Sequence, residues 1–482
     1  MLLYQWLIEA ARKYGSAKSL VYRDTYLSWR GLQHRVERRA QELGAMGIGK
    51  GQWIGLMLGN VPDFAILTLA LSKLGATVVP LDPTTGARDL GVVLDLAPLK
   101  GLITRPRGGV DLAPAVGDVT PAALGKRSDI VEVRRRLQGT LLTCSLYKRP
   151  DEAPDGAEVV LFTSDSKGEP KGVLRSRDNL EAGAEHLRTT LEMSSDDRIL
   201  TTVPLHHAYG FDLGLCLALR HGATLYIEDD VAPKRIAKIL REQEIDVLPA
   251  TPQLYAGLAK IPTAKTLKLK NPRYTSSGSA LPPTVSDAFR AGWGIRLLTL
   301  YHTTEAHAVT LDRKGLSSET VGKAVDGVSL RIGEAGTVWV RSDAVATRAV
   351  GLASVNNKRA GKHKGGQIPI GGFDAEGWYR TGDLGKMDRA GKLTLTGRED
   401  DLVKVDGKRV ALGEVDACLN SFPKVKAAQA RLVTDPLGGP MVVASVVTSG
   451  KCVAEEIIDH CARNLAPYKV PRRIEFCERL PS

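Results

Sequence analysis

The sequence predicts an α/β fold with a large N-terminal domain of layered α/β subdomains and a small α+β C-terminal domain. Its 482 residues are too many for one compact core. Short apolar segments alternate with amphipathic helical segments in the first half, which is typical of parallel βαβ units. Beyond residue 397 the pattern changes to a short series of helices and strands, which indicates a domain boundary there.

The first alternation lies between residues 32 and 81. Apolar residues at helical spacing from Leu32 to Leu43 predict a helix, and the apolar run at 53–58 predicts a buried strand. Pro62 is typical of the first turn of a helix, and residues 76–81 predict the strand after it.

The same alternation returns later in the chain. The predicted elements are a strand at 199–204, a helix at 211–220, a strand at 223–227, an amphipathic helix at Pro233–Glu242 and a strand at 245–248. A basic, glycine-rich stretch at 358–366 predicts an exposed loop. In the C-terminal domain, helices are predicted near 414–420 and Ala454–Asn464, and strands near 427–433 and 441–447.

Composition restricts the class of protein. Hydrophobic residues make up 43% and charged residues 25%, which is ordinary for a globular protein and argues against disorder. The net charge of +12 fits a solvated basic surface or attraction of a polyanionic small molecule such as ATP or coenzyme A. Aromatic residues are only 5%, and no nucleic-acid-binding motif occurs, so nucleic acid is not an expected partner.

Cysteine spacing and hydropathy bear on the compartment. The six cysteines form no CxxC pair, which favours reduced thiols in the cytoplasm. The most apolar long stretch, residues 64–81, is interrupted by Ser72, Lys73 and Gly75, so no membrane span is expected.

The segment at 163–172 (TSDSKGEPKG) is the richest in chemistry. Hydroxyls of Thr163 and Ser164, backbone N–H groups around Gly168 and the ammonium of Lys171 follow an apolar strand, which suits a cradle for phosphate oxygens. The spacing is not that of the Walker loop. Taken alone, the segment is equally consistent with a surface turn.

Seven further segments follow in a fixed order and strengthen the phosphate interpretation. With 163–172 they resemble the signature motifs of the adenylate-forming (AMP-binding) superfamily, which includes acyl- and aryl-CoA synthetases. The segments are 204–210 (PLHHAYG), 276–281 (SSGSAL), 301–305 (YHTTE), 379–384 (YRTGDL), 397–401 (GREDD), 404–414 (KVDGKRVALGE) and 467–471 (PYKVP). The resemblance covers essentially the whole chain.

The resemblance implies an N-terminal domain at 1–397 that includes a distorted barrel, and a mobile C-terminal domain at 398–482. It implies that ATP and a carboxylic acid form an acyl-adenylate, whose acyl group passes to coenzyme A. The implied catalytic residues are Lys171, Thr304, Glu305, His207 and Lys404, with Glu305 as the Mg²⁺ ligand and Asp400 as the hinge. The implied nucleotide-binding residues are Thr163, Ser164, Ser166, Gly168, Gly278, Ser279, Tyr301, His302, Thr303, Asp383 and Arg398.

These roles suit the reaction. Attack of a carboxylate on the α-phosphate places negative charge on phosphorus and on the leaving pyrophosphate, which Lys171 and the Thr304 hydroxyl would stabilise. Mg²⁺ favours carboxylate oxygen, as Glu305 offers. Taken singly, Asp383 after a glycine is more typical of a turn, and Thr304 with Glu305 is more typical of a helix start.

The sequence departs from the family pattern at three places. Asp165 and Lys167 replace the usual glycine and threonine of the phosphate loop, and His302 replaces a glycine. The chain ends at Ser482, short of the family's adenylation lysine, so we expect that lysine to lie beyond it. A catalytically weak adenylate-binding homologue is the alternative.

Two further questions stay open at this point. The acid is either fatty or aromatic, and Asp212 is a candidate for contacting an amino or hydroxyl group on it. The thiol belongs to coenzyme A or, as the alternative, to a carrier protein.

Overall fold

A computed structural model gives the architecture. It describes residues 2–105, 133–138, 140, 142–147, 156–164, 170–261, 267, 269–316, 320–351, 366–370, 372–398, 403–405, 408–410, 412–435, 439–450 and 452–480.

Twelve α-helices occur in the described residues. They are α1 (Leu2–Tyr14), α2 (Trp29–Ala45), α3 (Pro62–Leu74), α4 (Ala87–Leu96), α5 (Arg177–Leu191), α6 (Ala208–Gly210), α7 (Leu217–His221), α8 (Pro233–Glu242), α9 (Pro252–Ala259), α10 (Pro283–Trp293), α11 (Leu412–Asn420) and α12 (Ala454–Asn464). A π-helix spans Phe211–Cys216, and short 3₁₀ helices span Glu334–Gly336 and Pro467–Lys469.

The strands are numbered in chain order. The first fourteen are β1 (Lys18–Tyr22), β2 (Thr25–Ser28), β3 (Trp53–Met57), β4 (Thr77–Leu81), β5 (Leu99–Thr104), β6 (Val133–Arg136), β7 (Thr143–Leu146), β8 (Val159–Ser164), β9 (Pro170–Arg175), β10 (Arg198–Thr201), β11 (Thr224–Ile227), β12 (Val247–Ala250), β13 (Arg273–Ser276) and β14 (Leu298–Thr303). The others are β15 (His307–Leu311), β16 (Lys323–Ala324), β17 (Ser329–Ile332), β18 (Thr337–Arg341), β19 (Arg348–Gly351), β20 (Gly366–Pro369), β21 (Tyr379–Met387), β22 (Leu393–Arg398), β23 (Val403–Val405), β24 (Lys408–Val410), β25 (Val425–Asp435), β26 (Gly439–Thr448) and β27 (Arg473–Phe476).

Two nine-stranded sheets dominate the N-terminal domain. The first sheet has the order β20-β19-β9-β8-β4-β3-β5-β7-β6, and the second has the order β16-β15-β14-β13-β12-β10-β11-β1-β2. Their centres are parallel: β3 pairs with β4 and β5, and β12 pairs with β10 and β13. Central strands such as β3, β4 and β12 are buried along their whole length, as strands covered on both faces must be.

One hydrophobic core joins the two sheets. Residues of α1, α2, α3 and α5 share a buried cluster with Ile54 of β3 and Leu225 of β11. Helix α5 starts with a reciprocal cap, because the Ser176 hydroxyl accepts the Asn179 N–H and the Asn179 side chain accepts the Ser176 N–H. The cap fixes where α5 leaves β9, the strand that begins at the predicted phosphate loop.

The parallel strands place the predicted site at one edge. The ends of β8, β10, β13 and β14 and the segments that follow these strands carry most of the residues that the motifs single out. Ligands of open α/β sheets bind beyond the carboxyl ends of the strands, so this edge is where a site is expected.

Smaller sheets complete the chain. Where the resemblance implied a distorted barrel, the described residues form a four-stranded antiparallel sheet in the order β17-β18-β21-β22. The C-terminal domain holds the hairpin β23–β24 and the sheet β25-β26-β27, with α11 and α12 packed on a core that includes Val415 and Ile457. The α/β class with a large N-terminal and a small C-terminal domain is confirmed.

Most predicted elements form within two or three residues of their expected bounds. Helices Pro233–Glu242 and Ala454–Asn464 form as predicted. The helix expected at 211–220 differs, because it begins as the π-helix Phe211–Cys216 before α7. A π-helix often marks a functional position, since it turns side chains away from the regular helical spacing. Residues 358–365 of the expected loop lie outside the described residues, and Gly366 begins β20.

Across the described ranges, none of the helices combines the length and the apolar character that crossing a bilayer requires.

A buried histidine predicts acid sensitivity of the N-terminal domain. Burial, together with the neighbouring Arg220 guanidinium, lowers the pKa of His221 from 6.5 to about 4. Between these values the unfolded chain binds a proton that the folded chain does not, so stability is complete above pH 6.5 and falls as the pH falls towards 4. We expect a loss of about 2–3 kcal/mol from this group.

Thermal unfolding at about pH 7 and about pH 4.5 checks this expectation. His221→Leu fills a similar volume without titrating, so its unfolding midpoint should fall less on acidification than that of the wild type. His34→Leu, on the exposed face of α2, is the matched control. Equal acid sensitivity of His221→Leu and the wild type would contradict the assignment.

Candidate active site

A cavity of about 190 Å³ lies at the carboxyl edge of the two sheets. Strand ends and loops of the N-terminal domain form most of its wall, and segments of the C-terminal domain close one side. Six residues implied by the motifs line it: Thr163, His207, Gly278, His302, Thr303 and Thr304. Its other lining residues include Asp82, Phe162, Pro170, His206, Tyr209, Ser277, Lys408, Tyr468 and Lys469.

The phosphate side of the site is built around one ion pair. Lys171 Nζ lies 2.8 Å from Glu305 Oε1, and the glutamate side chain is only 4% exposed. Thr163 faces Lys171 across the antiparallel pair β8–β9, so its hydroxyl and the ammonium reach the same end of the hairpin. A cation, a carboxylate and a hydroxyl brought this close together suit a polyphosphate with its metal.

The turn between β14 and β15 carries Thr304 and Glu305. The Thr303 hydroxyl accepts the N–H of Ala306 at 2.9 Å, which fixes the turn from inside. Arg175 Nε donates to the Thr304 carbonyl at 2.7 Å, and its Nη2 donates to the same oxygen. Because β9 also carries Lys171, the bonds of Arg175 fix the position of the turn at Thr304 relative to Lys171.

The expected nucleoside side is organised by Tyr301 and Asp383. The Tyr301 hydroxyl donates to Asp383 Oδ2, which brings the motifs at 301–305 and 379–384 together. Gly278 has φ +95°, a conformation that L side chains rarely adopt, so a glycine suits this loop. The Ser279 hydroxyl has no hydrogen-bond partner in the part of the chain that the structure describes.

The rings of His206 and His207 make contacts with different parts of the structure. The ring of His207 caps the single-turn helix α6, where Nδ1 accepts the Tyr209 N–H at 3.3 Å. His206 Nε2 lies 3.6 Å from Asp82 Oδ2, just beyond β4. His207 lies at the start of α6, where it lines the cavity.

The C-terminal domain reaches this cavity through the hairpin β23–β24. Lys408 Nζ donates to Asp82 Oδ2 at 2.7 Å and lies 4.4 Å from the centre of the Tyr468 ring. Although burial by itself raises the pKa of Asp82, His206 and Lys408 hold that pKa well below its usual range. The carboxylate is therefore charged and links the two domains.

A second interdomain contact lies close by. Lys469 Nζ lies 3.8 Å from Asp89 Oδ2, and the lysine is buried. A second cavity of about 330 Å³ adjoins the first, because Lys408 and Tyr468 line both. Its remaining lining residues are Thr84, Val405, Val442, Pro467, Val470 and Arg472.

For three of the implied residues the structure gives only the strand to which each belongs. Others lie outside the residues that the structure describes. Ser164 belongs to β8, Arg398 to β22 and Lys404 to β23. Ser166, Gly168 and Asp400 lie outside the described residues, as do Asp165 and Lys167.

Sequence reasoning missed Arg175, His307, Asp82 and Asp89, since none belongs to a recognisable motif. Asp212 is placed differently from the sequence expectation. It lies behind His302, whose Nε2 donates to Asp212 Oδ2 at 2.9 Å, and it does not line the described cavity. The π-helix that begins at Phe211 turns this aspartate inward, where the regular helix predicted at 211–220 gave no reason to expect it.

The residues fit a bound Mg²⁺. A buried carboxylate beside a phosphate cradle supplies one protein oxygen, and Mg²⁺ takes the rest of its ligands from phosphates and water in such sites. Glu305 is the residue that would hold the ion, which would neutralise charge on the phosphates.

Two sheets that bring a lysine, a buried glutamate and several hydroxyls together at one edge are typical of a nucleotide-binding α/β enzyme. The family model of the AMP-binding enzyme matches residues 7–348, and that of the AMP-binding enzyme C-terminal domain matches residues 414–482. The chain belongs to the AMP-binding enzyme family, which confirms the resemblance seen in the sequence.

Individual relatives agree with this assignment. The medium-chain fatty-acid–CoA ligase of Escherichia coli K12 is 29% identical over an alignment that covers 93% of this chain and 82% of that protein. The sulfoacetate–CoA ligase of Cupriavidus necator is 27% identical over an alignment that covers 91% of this chain and 86% of that protein. A solved double mutant of o-succinylbenzoate CoA synthetase from Bacillus subtilis matches with a TM-score of 0.79, covering 99% of this chain and 95% of that one at 21% identity.

Proposed function

We propose that this protein activates a carboxylic acid with ATP and transfers the acyl group to coenzyme A. The observation that carries the proposal is the juxtaposition of Lys171 and Glu305 with Thr163 and Thr304 at the carboxyl edge of the sheets. Named relatives that span nearly the whole chain are CoA ligases, which supports the same reaction. The six free cysteines favour the cytoplasm as its compartment.

The first half-reaction joins the acid to AMP. A carboxylate oxygen attacks the α-phosphorus, and the bond to pyrophosphate breaks. Lys171 and the hydroxyls of Thr163 and Thr304 would stabilise the charge that develops on the phosphates. Glu305 would hold Mg²⁺, with which ATP enters as a substrate complex. Asp383 would accept hydrogen bonds from the ribose hydroxyls in place of the one that it accepts from Tyr301.

The second half-reaction moves the acyl group to sulfur. The thiolate attacks the acyl carbon, the bond to AMP breaks and AMP leaves. The second cavity, between Thr84 and Arg472, adjoins the first at Lys408, and in this proposal the thiol would enter through it. A carrier-protein thiol is the alternative acceptor.

Between the half-reactions the C-terminal domain would change orientation. We place the boundary between residues 397 and 398 and the hinge at Asp400, with the hairpin that carries Lys404 and Lys408 at the cavity for thioester formation. The docked hairpin of the present structure supports this assignment for the second half-reaction.

Acid-dependent AMP release by the full-length protein tests the proposal. We expect AMP and a thioester with one class of acid from a panel of fatty and aromatic acids, and the thioester only when coenzyme A is present. An acyl-adenylate that forms but does not transfer its acyl group to coenzyme A would point to a carrier protein as the acceptor. Failure of every acid to give AMP, despite ATP binding, would overturn the enzymatic proposal.

Removal of the interdomain ion pair should separate the two half-reactions. In Lys408→Ala the hairpin loses its bond to Asp82, so we expect thioester formation from a preformed acyl-adenylate to fall about tenfold. Exchange of pyrophosphate into ATP should change less than about twofold, since Lys408 has no part in holding the phosphates in this proposal.

Separate assays of thioester formation and of pyrophosphate exchange measure the difference between the two half-reactions. Lys424→Ala, which removes an exposed ion pair with Glu456 in the same domain, is the matched control. Equal losses in both half-reactions would contradict a role confined to docking.

A further inference from the structure

A buried cluster of four polar side chains lies behind one wall of the cavity. Asp212 Oδ2 accepts a hydrogen bond from His302 Nε2 at 2.9 Å, lies 3.0 Å from His307 Nδ1 and pairs with Arg175 Nη1 at 3.5 Å. All four side chains are at most 2% exposed. His302 is the one member of the cluster that lines the described cavity.

The cluster is rigidly held. His307 has φ +57°, a strained conformation for a residue with a side chain, and its ring occupies space left by Gly183. A Cβ at Gly183 would come within 2.4 Å of His307 Nδ1, so a larger residue there would displace the ring. On the cavity side, the His302 ring lies against Tyr209, with ring centres 5.7 Å apart. The Tyr209 hydroxyl is itself tied to the Thr275 carbonyl at 2.9 Å.

The cluster lies where the acid would extend. A carboxylate in line with the α-phosphate must lie beside Thr304, and its carbon skeleton must point away from the phosphates held by Lys171. His302 belongs to β14, stands two residues before Thr304 in the chain and lines the same cavity. The skeleton therefore points towards the wall formed by His302 and Tyr209.

We propose that the cluster of Arg175, Asp212, His302 and His307 closes this end of the cavity and restricts the substrate to compact carboxylic acids. The inference rests on the proposed function and names its substrate class, short-chain or single-ring acids. Long-chain fatty acids are excluded.

The reason is electrostatic as well as steric. A purely apolar wall yields when side chains adopt other rotamers, so it tolerates longer alkyl chains. Here an alkyl chain would have to separate His302 from Asp212 and leave a buried carboxylate with fewer partners. Such desolvated charge is costly, and methylene groups next to hydroxyls and imidazoles regain little of that cost.

Binding of acyl-sulfamoyl adenosines tests the inference without turnover. These stable mimics of an acyl-adenylate would be compared by calorimetry with acetyl, benzoyl, hexanoyl and hexadecanoyl groups. We expect the hexadecanoyl compound to bind the wild type at least about 100-fold more weakly than the best compact one. In His302→Gly, which restores the residue usual in the family, that ratio should shrink at least about tenfold.

Because the four compounds are first compared on the wild type, the inference is tested even if His302→Gly folds poorly. His34→Gly, exposed on α2, is the control for the substitution. Equal affinity of the wild type for short and long compounds would overturn the inference, and so would an unchanged ratio in a folded His302→Gly. If no compound binds and no acid gives AMP, the proposed function itself fails, whereas tight binding of the hexadecanoyl compound refutes the compact-acid inference alone.

Discussion

Glu305→Gln is expected to lower acid-dependent adenylate formation about 100- to 1,000-fold, as loss of one preorganised charged group at a reacting phosphate does. The substitution keeps the size of the side chain but removes the charge that faces Lys171 at 2.8 Å. It also removes the carboxylate that would hold Mg²⁺, and an amide oxygen is a weaker ligand for a hard cation.

Exchange of labelled pyrophosphate into ATP measures this effect directly. A shift to higher Mg²⁺ concentrations for half-maximal exchange would separate loss of a metal ligand from misfolding. Glu376→Gln, on an exposed turn, is the matched control. Activity of Glu305→Gln within tenfold of the wild type would remove Glu305 from the phosphate site.

Arg175→Met is expected to lower the free energy of unfolding of the N-terminal domain by about 3–5 kcal/mol. The guanidinium is fully buried and compensates the charge of Asp212, so its loss leaves a carboxylate in the interior with only histidine partners. Burial and the neighbouring Arg175 guanidinium lower the pKa of His307 to about 4, so in the wild type the arginine, and not this histidine, supplies positive charge beside Asp212 near neutral pH.

Urea unfolding of single and double variants checks this prediction. Arg175→Met combined with Asp212→Asn removes both charges and should recover at least half of the lost stability, since replacing a whole buried pair costs far less than breaking it. Arg313→Met, which breaks an exposed pair with Asp326, is the control. A double variant as unstable as Arg175→Met would mean that the arginine acts through packing or through the Thr304 carbonyl alone.

The fold was predictable where local signals agree. Helix Pro233–Glu242 has a proline in its first turn and apolar residues at helical spacing, and it forms as expected. The strands at 53–58 and 76–81 were recognisable because burial on both faces leaves continuous apolar runs. The π-helix at Phe211–Cys216 was not predictable, since its sequence has ordinary helical composition and only tertiary packing shows the wider turn.

The residues of the site likewise fall into two groups, those that sequence motifs indicate and those that only the tertiary structure brings together. Thr163, Thr304 and Asp383 stand in motifs whose order along the chain points to nucleotide chemistry. The contact between Asp82 and Lys408 joins residues 326 positions apart, and no local pattern relates them. The same is true of Arg175 and His307, 132 positions apart, whose shared environment arises only from the packing of β9 against the turn before β15.

The bond between Lys408 and Asp82 also bears on how faithfully ATP consumption is matched to product. While the hairpin covers the cavity, an acyl-adenylate inside is screened from bulk water, so little of it is lost to hydrolysis before a thiol arrives. The ratio of AMP released to thioester formed should then stay near one. Salt weakens partly exposed ion pairs, so this ratio should rise with ionic strength, and the enzyme would waste nucleotide before it loses its capacity to activate the acid.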